Sequence, residues 1–252
     1  MMRRNKFLIW LIITGGFILV AIFFGYQKPE EIKIEVGEPV KTVEKKEPVI
    51  IETVEKLEGN VEEKIIPEKV LLAVPFISQA PKKIWDALHE EACEEASLLM
   101  VEKFFQKKIA GTIEEQDKEI KGIVKYENKH KYGLSITLDE LAEIAQDYSG
   151  MKKPRVEKEA TIEKIKQELS GGRPVIIPAA GKLLFNPNFK NGGPIYHMLV
   201  IRGYDEDGFI TNDPGTRKGE GFRYSFQTLF SAIHDWNSKD ILNGEKAYLV
   251  FD

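Results

Sequence analysis

The sequence predicts an α+β domain over residues 71–252. Helical periodicity is concentrated in the first half of that stretch. Short apolar runs bounded by Gly, Pro and Asn fill the second half, two of them flanking a hairpin signal between Asp205 and Gly208. Helices followed by antiparallel strands give an α+β order. The 252-residue chain is 42% hydrophobic and 10% aromatic, enough for a core, and its net charge is −4. That balance excludes a strongly basic nucleic-acid binder. A single cysteine excludes an intramolecular disulfide framework and thiolate-rich zinc or iron–sulfur sites.

Two segments of different character precede the domain. Phe7 to Gly25 are 19 consecutive residues without a charge, preceded by Arg3, Arg4 and Lys6. A helix of that length nearly crosses a ~30 Å hydrocarbon layer, and the basic tip directs the N-terminus to the cytoplasm. The run is longer than a usual signal-peptide core and lacks an A-x-A-like cleavage site, so residues 1–27 read as an uncleaved anchor, with the domain outside the cytoplasm. Residues 28–70 hold 12 Glu, 8 Lys and 4 Pro without an aromatic, a composition that reads as an extended stalk. A short strand near Lys64–Ala73 is able to pair onto the domain.

Within the domain, Leu72–Ile77 begins as an apolar strand. Glu90–Phe105 is a helix candidate with Cys93, Ala96, Met100 and Phe104 on one face. Thr137 and Glu140 form a capping box opening a helix to about Tyr148. Ile162–Leu169 is a third helix, closed by Gly171 and Gly172. Pro174–Ala179 is a buried strand, and Lys182–Pro194, rich in Asn, Gly and Pro, a loop. His197–Tyr204 and Phe209–Asn212 are the hairpin strands. Ser225 caps a short helix to Ile233, and Ala247–Phe251 is the last strand.

Cys93 is the first candidate for chemistry. An unpaired thiol outside the cytoplasm is either a reactive nucleophile, favoured by amide donors at a helix N-terminus, or a small core residue. Glu90, Glu91, Glu94 and Glu95 surround it in sequence and disfavour a thiolate unless an imidazolium lies closer. Of the four histidines, His89 and His130 lie in Lys/Glu-rich surroundings and read as surface residues, and His234 reads as a helix C-cap. His197 opens an apolar strand directly after a flexible loop, so it is either a hydrogen-bonded structural residue or a base.

Asp213 ends the following strand before Pro214. It is either a turn residue or the group that orients the imidazole. A three-residue loop ending in a left-handed Gly208 pairs Asp205 with Phe209. Asp213 then stands opposite Ile201, on the face of His197 but ~13 Å along the strand. Twist or a bulge near Gly203 must bring the two together. A two-residue loop puts them on opposite faces. Gln79 is either a loop residue or, with the Cys93 backbone amide, a donor to a developing oxyanion.

The runs VPFISQ, WDALHEEACEEASLLMV, GRPVIIPA and HMLVIRGYDEDGFITNDPG together resemble the cysteine-peptidase family that includes bacteriocin double-glycine leader peptidases. The likeness is to its stand-alone "thirty-nine-like" branch and covers about residues 72–252. It implies a papain-like fold with Cys93 as nucleophile, His197 as general base and acid, Asp213 as orienter and Gln79 as oxyanion donor. This chain has Ala92 and Glu94 around the cysteine where leader peptidases carry Asp and Gly. Its Gln lies farther from the Cys, so roughly Ala80–Leu88 must loop out. It also lacks a fused transporter, so the leader-peptide substrate does not carry over.

No HExxH, P-loop or dinucleotide fingerprint appears, and the chemistry implied needs no metal or organic cofactor. Trp85 lies near the expected cleft, and Lys182–Pro194 is placed to overhang it. The expected function is hydrolysis of amide bonds in a peptide or protein substrate, with the membrane as the other partner and no nucleic acid. The alternatives are a non-catalytic binding module on a stalk and an amidase of cell-wall peptides.

Overall fold

The computed structural model describes residues 66–252. The expected anchor lies outside them, as does the stalk up to residue 65. Among the described residues no helix is long and apolar enough to cross a membrane. The chain enters at β1 (Val70–Leu71), the short strand expected near Lys64–Ala73. Helices α1 (Cys93–Phe105), α2 (Ile113–His130) and α3 (Leu138–Asp147) follow. After β2 (Pro154–Lys158) and α4 (Ile162–Ser170) come β3 (Val175–Ala180), β4 (Tyr196–Asp205), β5 (Gly208–Asn212) and β6 (Glu220–Tyr224). Helix α5 (Phe226–Ala232) and β7 (Ala247–Phe251) complete the chain.

The sheet is antiparallel, in the order β2-β7-β3-β4-β5-β6, with β1 also pairing β4. Both faces are covered. Met198, Val200, Ile176, Leu249 and Phe251 pack with the buried sides of α1, α2 and α3. The alternate residues Leu199, Ile201, Ile177, Tyr248 and Val250 pack with Ile165 and Leu169 of α4 and Leu229 of α5. Alternation along a strand sends successive side chains to opposite faces, so β3, β4 and β7, covered on both, read as continuous apolar runs. Pro178 is tolerated inside β3 because β7 has already left that edge. There its carbonyl accepts from the His234 backbone N–H at 3.3 Å.

Several expectations are corrected. Leu72–Ile77 is not a strand. Pro75 has no N–H for a ladder, and the Val74 carbonyl accepts from the Asn212 amide at 3.0 Å instead. The segment is stitched to the sheet by the Leu72 backbone N–H, which donates to the Arg202 carbonyl at 2.8 Å, and by side chains, while Val74 and Ile77 are buried in the core. Helix α1 starts at Cys93, three residues later than Glu90, because the chain before it is a loop held by Gln79. Three elements were not expected: α2, β2 and β6. His234 is not the cap of α5, a position taken by Ile233.

The β4–β5 hairpin differs from the expected register. Asp205 pairs with Gly208, so the loop is the two residues Glu206 and Asp207. One extra residue in β4, between Ile201 and Gly203, then shifts the register, so that Val200 pairs with Asn212. A bulge of one residue restores the face that the shorter loop had inverted. Continued one step, the ladder puts Asp213 opposite Leu199, on the face of His197 and only two residues from it. Gly203 also lets β1 pair closely with β4, since a Cβ there would collide with the Val70 carbonyl oxygen.

Candidate active site

Cys93 is the first residue of α1. The N-cap, Ala92, offers no side chain to the first-turn amides. Ala96 and Met100 below it anchor the helix in the core, and Cys93 itself is buried. Its thiol donates to Glu94 Oε2 at 2.9 Å. Burial pushes the thiol well above its ordinary pKa. The Glu94 and Glu95 carboxyls push it the same way, and the nearby Met198 backbone amide pulls in the opposite direction.

His197 sits near the start of β4, where β5 has already diverged. Its Nε2 bonds Asp213 Oδ1 at 2.8 Å, and both residues are buried. Burial disfavours the Asp213 charge, but His197, the Tyr224 hydroxyl and the Gly215 amide more than offset it and hold the carboxyl below its usual range. Tyr224 donates to Oδ2 at 2.6 Å, Asn186 Nδ2 to the same oxygen at 3.2 Å, and the Gly215 N–H to Oδ1 at 3.0 Å. Phe189 meets the imidazole edge-on with ring centroids 5.3 Å apart. Nδ1 of His197 has no hydrogen-bond partner among the described residues, nor does a hydrogen bond join His197 to Cys93.

Asn186, Tyr224 and Phe189 were not singled out from the sequence. Asn186 lies in the Asn- and Gly-rich loop, where its Oδ1 also accepts the Asn188 N–H at 3.0 Å. Three asparagines in one loop before a strand-opening His were the available signal. Tyr224 ends a strand whose mixed burial gives no periodicity.

Gln79 is buried, and its backbone N–H donates to the Pro214 carbonyl at 3.1 Å, beside Asp213. Its Nε2 donates to the carbonyls of His89 at 2.8 Å and Glu90 at 3.0 Å, which engages both amide hydrogens, while Oε1 is buried without a partner among the described residues. The expected loop-out of Ala80–Leu88 is present as irregular chain between Gln79 and α1. It is pinned by His89, which is not a surface residue but 3% exposed. His89 bonds Asp86 at 2.7 Å and Asp117 of α2 at 3.0 Å. His130, by contrast, is exposed.

Gln79, Cys93, Glu94 and His197 all line one open cleft of about 980 Å³, together with Trp85, Phe189 and Pro194. That size accommodates a few residues of extended peptide. Side-chain alternation puts the His197–Asp213 pair and Cys93 on opposite faces of the sheet. Both Cys93 and His197 nevertheless line the cleft, His197 on the stretch of β4 before its pairing with β5 begins at Val200. Among the described residues no group of three His, Cys, Asp or Glu side chains is arranged to hold a metal ion.

A thiol and an acid–imidazole pair opening on one cleft of an α+β domain fit a class of thiol hydrolases. The model of the Peptidase_C39 like family matches residues 71–239, and the chain belongs to that family of papain-like cysteine peptidases. A solved structure described as a "putative C39-like peptidase from Bacillus anthracis" is similar at 17% identity, over 74% of this chain and 98% of that chain, with a TM-score of 0.49. No curated protein matches the chain. Family membership points to a cysteine peptidase.

Proposed function

We propose that the chain is a cysteine peptidase, anchored in a membrane by Phe7–Gly25 and working outside the cytoplasm through Cys93, His197 and Asp213. The observation that carries the reading is the buried His197–Asp213 hydrogen bond at 2.8 Å, made by a histidine that lines the same cleft as Cys93. With Nε2 held by Asp213, the imidazole has Nδ1 left for the thiol. In the reaction, the thiol proton passes to His197 and the sulfur bonds the substrate carbonyl carbon, whose π pair moves to oxygen. The C–N bond then breaks as the imidazolium gives its proton to the leaving amine. Water, deprotonated by His197, attacks the thioester, and the sulfur leaves and is reprotonated. The Cys93 backbone N–H supplies one donor to the oxyanion. Gln79 supplies a second once its amide turns from the His89 and Glu90 carbonyls.

The test is alkylation of Cys93 together with peptide hydrolysis. Iodoacetamide reacts with Cys93 much faster than with free cysteine at neutral pH. His197→Ala removes that advantage, and Cys93→Ser abolishes cleavage of an unfolded protein. Ordinary thiol reactivity in the wild type would sink the enzyme reading. It would favour a second one, a binding module on a stalk, for which the Cys93–Glu94 hydrogen bond and the upward pressure on the thiol pKa are the specific support. Turnover of purified murein without turnover of unfolded protein would shift the substrate to cell-wall peptides. The anchor is tested by fractionation of the full chain, which should pellet with membranes and be degraded by protease added outside intact spheroplasts.

A further inference from the structure

Among the described residues Glu94 is the one side chain hydrogen-bonded to the candidate nucleophile, at 2.9 Å, and it lines the same cleft. It is 2% exposed, and no lysine or arginine pairs with it among the described residues. The ionisable groups around it are acids and neutral hydroxyl or thiol groups. Cys93 and Glu95 flank it on α1 and Glu127 approaches from α2, while Tyr196 on β4 feels both Glu94 and Asp235. The basic groups lining the same cleft are His197, Lys190, Arg217 and Lys218.

We propose that Glu94 is a positioning residue for the nucleophile: neutral, it donates its O–H to the Cys93 thiolate and leaves the sulfur to His197; ionised, it accepts the thiol proton and holds the sulfur unreactive. This deepens the proposed function and rests on Cys93 being its nucleophile. The hydrogen bond stays in place in both states and only its direction reverses, so no rearrangement of the buried chain is needed. Burial pushes the Glu94 carboxyl up to about 8, against the pull of the thiol hydrogen bond, which places the reversal just above neutrality. A carboxylate in contact with a sulfur opposes a second negative charge there, by roughly tenfold or more in thiolate population. An amide in its place cannot ionise and still donates, so Glu94→Gln fixes the permissive state.

The experiment measures the iodoacetamide rate at Cys93 in the full chain from about pH 6 to about pH 9, for wild type and Glu94→Gln. The wild-type rate should climb to about pH 8 and then level or fall, while the variant continues to climb. The two should be nearly equal at about pH 6.5 and differ by roughly tenfold at about pH 9. A folded variant whose profile superimposes on the wild type, or lies below it throughout, overturns the proposal. If the variant does not fold, the wild-type profile decides alone, since a rate that keeps climbing like a simple thiol's also overturns it. Peptide hydrolysis separates the two readings. Diverging profiles without cleavage leave the role of Glu94 standing and remove the peptidase, whereas cleavage with superimposed profiles does the reverse.

Discussion

The imidazole of His197 is held on three sides. Asp213 bonds Nε2, Phe189 packs edge-on, and Gly215 passes so close that a Cβ there would lie 2.8 Å from Cε1 and 3.1 Å from the Phe189 ring. An alanine at 215 therefore cannot be accommodated with the ring in place. Gly215→Ala is expected to tilt the imidazole off Asp213 and lower kcat/KM on the order of a hundredfold, with the melting temperature little changed. A variant with full activity would show that the ring has another seat. At this scale the candidate residues were legible in the sequence and the side chains that support them were not. Cys93 stood out as the lone thiol, and His197 and Asp213 by their places at strand ends. His89 was misread because its neighbours in sequence are Lys and Glu, whereas its neighbours in space are two carboxylates and the core. Asn186 and Tyr224 reach Asp213 from 27 and 11 residues away, a distance no local pattern encodes.

Asp117, on α2, ties the irregular chain after Gln79 to the helical layer. Its buried carboxylate takes Lys82 at 2.9 Å, Lys121 at 2.9 Å and His89 at 3.0 Å. Burial opposes its charge, but the two lysines prevail and hold it down at about 2. Through His89 the same carboxylate fixes the carbonyl that receives the Gln79 amide. Asp117→Asn should cost about 1–3 kcal/mol of stability, because buried donors lose a charged acceptor. It should also speed hydrogen exchange across residues 80–91. Unchanged exchange there would show that the loop is held by something else. Helices with a clear apolar stripe and a cap were legible from sequence. The Thr137–Glu140 and Ser225 starts are where the residue types place them. Helix α2 carries the same capping box, Thr112 with Glu115, but of its apolar residues only Ile120 and Ile123 are fully buried, so its stripe is faint. Strand β6 is half-exposed along most of its length, and such a strand leaves little alternation to read.

For the whole molecule, the ionisable groups buried against the sheet set a pH optimum of stability. Burial raises Glu94, and raises Glu95 and Glu127, which share a hydrogen bond. Between the usual value of 4.5 and about 8 the folded chain therefore binds more protons than the unfolded one, and stability falls as pH rises through that window. Asp117 and Asp213 are shifted the other way. Their contribution is complete above 3.8 and is lost as pH falls below it, for Asp117 toward about 2. The melting temperature should peak between these windows, near pH 4 to 5, and drop by roughly 2–8 °C on the way to pH 8. Glu95→Gln should flatten the alkaline slope, and a melting temperature that rises from pH 5 to 8 would refute the linkage. The α+β class was legible because the order of helices and strands survives in the pattern. The strand order was not, because pairing across the sheet joins residues far apart in the chain.

That order has a further consequence. Strand β7, the last of the described strands to be synthesised, is not at an edge but between β2 and β3. A growing chain that has not reached Ala247 has β2 with nothing to pair with and the Leu249 and Phe251 side chains missing from the helical layer's core. Closure is thus deferred until translation has passed β7, which delays assembly of the thiol cleft as well. A message truncated before Ala247 would yield a polypeptide with every candidate reactive group present and no settled sheet to hold them, a product suited to quality-control degradation rather than to indiscriminate cutting.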